Sequence, residues 1–177
     1  MIDPELPEAA MSAPGASAAT HRAEATAEFV YGTTTVIIAL SGLEIVGGVP
    51  PQSAAVLTIA GAAAIWLCHA YASYLGAHVV HGQTHASGEI LGYLRRSAPI
   101  VLAALPAALL LGGSVVGLWS VSAAILLANV LAIIVLAVCG WIGARAAGSS
   151  RPMSVLWAAA TAGIGLGLVV FETLLHR

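Results

Sequence analysis

The chain has 177 residues, 59% of them hydrophobic and only 8% charged, with a formal net charge of −2 and a mean hydropathy of +0.96. Soluble domains carry about a quarter charged residues, so this composition excludes an ordinary soluble globular domain. There is no lysine, and the six arginines form no basic patch, which excludes a nucleic-acid partner.

Residues 1–20, MIDPELPEAAMSAPGASAAT, are rich in Ala, Pro and Ser and carry Asp3, Glu5 and Glu8 without a cation. They lack the apolar centre of a signal peptide, and their composition predicts a disordered tail. From there the pattern predicts an all-α, polytopic membrane helical bundle over 21–177 with five transmembrane helices. Thr20 is placed to cap a helix starting near His21, which feeds a first span at about 27–46. Gly47, Gly48, Pro50 and Pro51 end it, and Ser53 is placed to cap a second span at about 53–77. An arm over 78–96 follows. The third span, about 97–118, opens with Ser97 and Pro99, and Pro106 predicts a kink inside it. The fourth and fifth run at about 120–146 and 153–175, separated by GSSRP.

Arginine placement orients the bundle. With five spans, Arg22, Arg95, Arg96, Arg145 and Arg151 share one side, and only Arg177 falls on the other. The positive-inside bias then puts the N-terminus and the arm in the cytoplasm and the C-terminus outside. The expected location is a bacterial cytoplasmic (inner) membrane, crossed several times. Trp141 and Trp157 at the inner boundary and Trp119 at the outer one fit an aromatic belt. Small residues predict helix contacts: Ala124, Ala128 and Ala132 in the fourth span, and Ala159, Gly163 and Gly167 in the fifth. The first expectation for both stripes is packing within the chain, and the second is a homodimer face. Cys68 and Cys139 lie in apolar runs with no metal or redox spacing, and read as small buried hydrophobes.

Ionisable groups at membrane depth are costly and invite a functional reading. His69 lies in the run WLCHAYASY beside Tyr71, and Glu28 opens the first span ahead of Thr33, Thr34 and Thr35. Threonines in a span commonly bond back to their own backbone. The sharper expectation is a polar transport pathway lined by Glu28, Thr35, His69 and Tyr71, with a histidine able to carry a proton near neutrality. In the arm, His78, His81, His85 and Glu89 are three, four and four residues apart. On a continuous helix they share one narrow stripe. Imidazoles with a carboxylate suit a divalent transition metal ion. One helix rarely supplies four ligands to one ion, so Glu24, Glu28 or a second subunit would complete such a site. Glu44 and Glu172, near the outer ends of their spans, read first as headgroup-level side chains. No nucleotide-binding or hydrolase motif is present.

The segments FVYGTTTVIIAL, WLCHAYA and VVFETLLH resemble a group of small bacterial, chiefly actinobacterial, integral membrane proteins. That resemblance implies membrane architecture and says nothing about activity. VLTIAGAAA and GWIGARAAGSSRPMSVLWAAATAGIG resemble, more distantly, the second span and last connection of the vacuolar iron transporter family. The likeness implies a five-span dimer with a metal-binding extension of the second span, exchanging Fe²⁺ or Mn²⁺ for protons. That family has an aspartate–glycine pair about three residues after a glycine in its first span. Here Gly32 is followed by Thr33, Thr34, Thr35 and Val36, and Cys68, His69 and Tyr74 stand where methionine and glutamate ligands are expected. Its pore residues therefore do not carry over. RAEATAEFVY also resembles, over ten residues, the first-span entry of a lysosomal and bacterial potassium channel family.

The expected function is movement of a small cation, a divalent transition metal first, with His69 able to couple a proton. An ion channel for a monovalent ion is the second expectation. A membrane enzyme, or a subunit that ligates haem or serves assembly, is the third.

Overall fold

The computed structural model describes residues 14–81 and 89–175, with backbone alone at 14–20, 45, 80, 81, 89, 172 and 175. Helix α1 covers Pro14–Val46, α2 Pro51–His81, α3 Glu89–Arg96, α4 Ala98–Leu102, α5 Leu105–Val115, α6 Val121–Ala146 and α7 Arg151–Leu175. Among the described residues there is no strand. Five stretches are long and apolar enough to cross a membrane: His21–Glu44, Pro51–Val79, Ala98–Val115, Val121–Ala146 and Arg151–Phe171.

The helix ends follow local chemistry, with some departures from expectation. Helix α1 begins at Pro14, so Thr20 lies inside it and is not its cap. A proline with its fixed φ suits a first turn. The remainder of the expected tail, 1–13, lies outside the described residues. Helix α2 begins at Pro51, where the Ala54 N–H already donates to the Pro50 carbonyl at 3.0 Å, so Ser53 falls within the first turn. Ser97 stands at the cap position of α4 but its side chain makes no capping bond. Ser120 does cap α6, accepting from the Ala123 N–H at 3.2 Å. Gly117 and Gly148 have φ of 79° and 75° and close α5 and α6 in the same way. The residue after each glycine, Leu118 or Ser149, donates back to Gly113 or Ala144. This is the glycine-dependent helix stop in which a left-handed residue satisfies the last carbonyls.

The third crossing is broken at Ala103–Ala104, as the position of Pro106 predicts. Pro106 has no N–H to offer the Leu102 carbonyl four residues back, and the Ala104 N–H donates only three residues back, to Val101, at 3.1 Å.

Helix α6 packs against α7, α1 and α5, while α2 packs against α3, α4 and α5; α1 touches members of both groups. The main apolar cluster joins Val36 and Leu40 of α1, Ala62 of α2, Leu111 of α5 and Ala124 and Ala128 of α6. Small residues let the backbones approach. The Ala124–Ala128–Ala132 stripe is buried as expected. At Gly32 an added Cβ would lie 2.5 Å from the Ile100 carbonyl oxygen, so α1 and α4 meet backbone to backbone. At Gly140 an added Cβ would collide with the Thr161 hydroxyl and the Trp157 carbonyl.

The fifth-span stripe behaves otherwise. Gly163 and Gly167 have nothing within 4 Å of an added Cβ and, with Ala159, are exposed. The packing glycine is Gly165, set against Leu136, Ile133 and Ile37. Two residues are about 200° of helical turn, so when Gly165 faces α6 its neighbours Gly163 and Gly167 face away. Cys68 is also exposed rather than buried, and Cys139 is half-buried.

Candidate functional site

One face of α1 carries a polar stripe. His21, Glu24, Glu28, Tyr31 and Thr35 recur every three or four residues, the spacing that keeps side chains on one side of a helix. From His21 to Thr35 the stripe rises about 21 Å. It starts at the end of the bundle that bears Arg22, Arg95 and Arg96 and runs along the first candidate crossing, with Tyr31 half exposed.

Glu28 and His69 meet on this stripe. The His69 Nε2 lies 3.0 Å from the Glu28 Oε1, with the histidine side chain 33% and the glutamate side chain 17% exposed. The Tyr31 ring lies over the imidazole, with centroids 5.4 Å apart at 38°. Both residues lie within stretches that can cross a membrane. The second carboxylate oxygen, Oε2, is buried without a hydrogen-bond partner. An ionised carboxylate in low dielectric is costly unless its oxygens are engaged, so the unengaged Oε2 marks this position as a candidate site.

One turn toward the arginines, Glu24 Oε2 lies 3.6 Å from Arg96 Nε and 3.7 Å from His21 Nδ1. Glu24 thus makes an ion pair with Arg96 at that end of the stripe, without a hydrogen bond to its Oε2. Beyond Glu28, the hydroxyls of Thr33, Thr34 and Thr35 donate to the carbonyls of Phe29, Val30 and Tyr31 at 2.8, 2.9 and 2.9 Å. Local back-bonding therefore accounts for the hydrogens, and the oxygens keep only lone pairs to offer. Thr35 and Thr58 line a cavity of about 10 Å³ between α1, α2 and Ile100, room for one water.

The structure thus brings together Glu28 and His69, with Thr35 two turns further along. Tyr71 does not join them: it is 62% exposed, and two residues from His69 is the far side of the helix. In the arm, α2 extends to His81 and α3 begins at Glu89. The His78 ring lies 5.9 Å from Tyr74, which in turn makes an edge contact with Tyr93 at 6.0 Å. The Trp66 Nε1–H donates to the Leu94 carbonyl at 2.9 Å and fastens α3 to α2. The side chains of His81 and Glu89, and the whole of His85, lie outside the described residues, as does the side chain of Glu172. Among the described residues no three His, Cys, Asp or Glu side chains gather in a metal-holding group.

One interior polar residue has no counterpart in the sequence reading. Asn129 of α6 is 5% exposed, and its Oδ1 is buried without a hydrogen-bond partner. The signal was available, because Asn129 is the chain's only asparagine and sits in the run ILLANVLAII. Comparison with protein-family models, curated proteins and solved structures finds no match for this chain.

Proposed function

We propose that this protein moves a small cation across a membrane in exchange for a proton, with Glu28 and His69 as the exchange site. The observation that carries the reading is the intramembrane pair itself: a carboxylate oxygen on an imidazole nitrogen at 3.0 Å, with the second oxygen buried and unengaged. Such a pair has two uses for one position. With a proton on the imidazole it is an internal ion pair, and with the proton gone it presents a nitrogen lone pair and a carboxylate to a cation. A borderline divalent metal accepts that donor set, which places a transition metal ahead of an alkali ion.

The stripe from His21 and Glu24 leads to the pair from the arginine-bearing end, where α2 runs on beyond His69 to His78. In this reading the N-terminus is cytoplasmic, following the arginine bias, and His78, His81, His85 and Glu89 capture the metal before it enters. The protein reconstituted in vesicles should couple Mn²⁺ or Fe²⁺ uptake to proton movement in the opposite direction, read by a trapped pH dye. Glu28→Gln and His69→Gln should each abolish both fluxes. Undiminished fluxes in both variants would dismiss the pair as the exchange site. Replacing the four arm residues should remove metal-dependent thermal stabilisation while leaving the proton response of the pair intact.

A further inference from the structure

At the arginine-bearing end, His21 and Glu24 of α1, Arg95 and Arg96 of α3 and the start of α4 at Pro99 enclose an open cleft of about 380 Å³, within the range of small-molecule sites. Its charge is unequal. Arg96 is shared with Glu24 at 3.6 Å, whereas the Arg95 guanidinium, exposed, has no ion pair or hydrogen bond among the described residues. One carboxylate thus faces two permanent cations and a titratable histidine, which leaves the cleft cationic.

Its level in the molecule is equally defined. The first crossing begins at His21 and the third at Ala98, so the cleft lies where two crossings leave the apolar region. Helix α3 supports the same placement independently. It is short and two-sided, with both arginines in its last turn and with Ile90 and Leu91 exposed at 43% and 52%. A helix with uncovered aliphatic side chains beside uncovered cations suits the boundary between acyl chains and headgroups. Helix α3 is also tied to α2 through Trp66 and Leu94, so the backbone that carries the arginines is held in place.

We infer that this cleft is a binding site for the phosphate of an anionic phospholipid, with Arg95 as the main contact, Arg96 as the second, and the acyl chains lying along Ile90 and Leu91. Guanidinium groups bind phosphate oxygens through paired N–H donors. The lipid's phosphate competes with Glu24 for Arg96, so an occupied cleft loosens the Glu24–Arg96 contact.

The test is native mass spectrometry of the purified protein titrated with phosphatidylglycerol, phosphatidylcholine or inorganic phosphate. The expected result is a saturable phosphatidylglycerol adduct, preferred over phosphatidylcholine and not displaced by millimolar phosphate. Each arginine contributes about a fivefold factor in affinity near a membrane surface, so Arg95→Gln should weaken the adduct about fivefold and the Arg95→Gln/Arg96→Gln pair about thirtyfold. Arg95→Lys should restore part of the loss, as a charge without the paired donors. Arg145→Gln, an exposed arginine at the same end but outside the cleft, should change nothing. Equal binding of the two lipids, or an equal loss from Arg145→Gln, would reduce the site to diffuse surface charge and overturn the inference. Displacement by inorganic phosphate would overturn it in favour of a soluble anion. Equal wild-type binding of the two lipids would overturn the inference without any variant having to fold.

Discussion

At the scale of single residues, the Glu28–His69 contact makes a prediction about stability that is separate from transport. Each partner is more than half covered, so removing one leaves the other in a poorly solvated place. In membrane proteins the coupling between interhelical polar partners averages about 0.6 kcal/mol and reaches about 1.7 kcal/mol. A double-mutant cycle with Glu28→Gln and His69→Gln, read by reversible unfolding in detergent, should give a coupling of about 1 kcal/mol, in the upper part of that range. The upper part is expected because this contact joins a carboxylate to an imidazole. A coupling near zero would mean that water serves each side chain equally well. Glu28 and His69 were legible as candidates because an ionisable group in an apolar run stands out by cost alone. Their contact was not legible, since it depends on which faces of α1 and α2 meet. Tyr71 shows the limit: proximity in sequence to His69 suggested a shared pathway, and helical geometry turned it outward. Asn129 escaped notice because one uncharged amide barely changes the hydropathy of its run.

At the scale of helices, the two glycine patterns of the α6–α7 contact predict opposite outcomes. Gly140→Ala places a methyl group against the Thr161 hydroxyl and the Trp157 carbonyl. One of those neighbours is backbone and cannot yield cheaply, so the variant should lose about 1–3 kcal/mol. It should also free the Thr161 hydroxyl from its 3.0 Å approach to the Leu136 carbonyl. Gly163→Ala meets nothing and should gain up to about 1 kcal/mol from helix propensity. Melting temperatures of the two variants in the same detergent test this, and the same sign for both would contradict the packing described. The GxxxG spacing was visible in the sequence, but spacing alone does not say which side of a helix the rest of the bundle occupies. Helix α3 supplies a second test. Trp66→Phe removes the donor to the Leu94 carbonyl, at a cost of about 1 kcal/mol. Amide exchange should then quicken in α3 while the five crossings keep their protection. The break in the third crossing was readable in advance, because Pro106 removes a specific donor wherever it sits in a helix.

At the scale of the whole molecule, five stretches are long and apolar enough to cross a membrane, and five crossings would place Pro14 and Leu175 on opposite faces. The crossings were legible because apolar length is a one-dimensional property of sequence. Which face is cytoplasmic is a separate expectation, drawn from where the arginines gather. Arg22, Arg95, Arg96, Arg145 and Arg151 all fall at one end of the helices, and translocating that end would carry five fixed charges across. The expected orientation can be read with an impermeant maleimide in intact cells, using a variant in which Cys68 and Cys139 are replaced. Gln52 and Ser150 are exposed positions at opposite ends of the bundle. A cysteine introduced by Gln52→Cys should label from outside, and one introduced by Ser150→Cys should label only after lysis. The reverse pattern would put the stripe of His21, Glu24 and Glu28 outside and make the arm an external captor. Equal labelling at both positions would mean insertion in both orientations, because one chain cannot show both ends to the same side across an odd number of crossings. In that case the Glu28–His69 pair would keep its geometry. Under the proposed exchange, the direction of movement would then follow from the gradients of cation and proton alone.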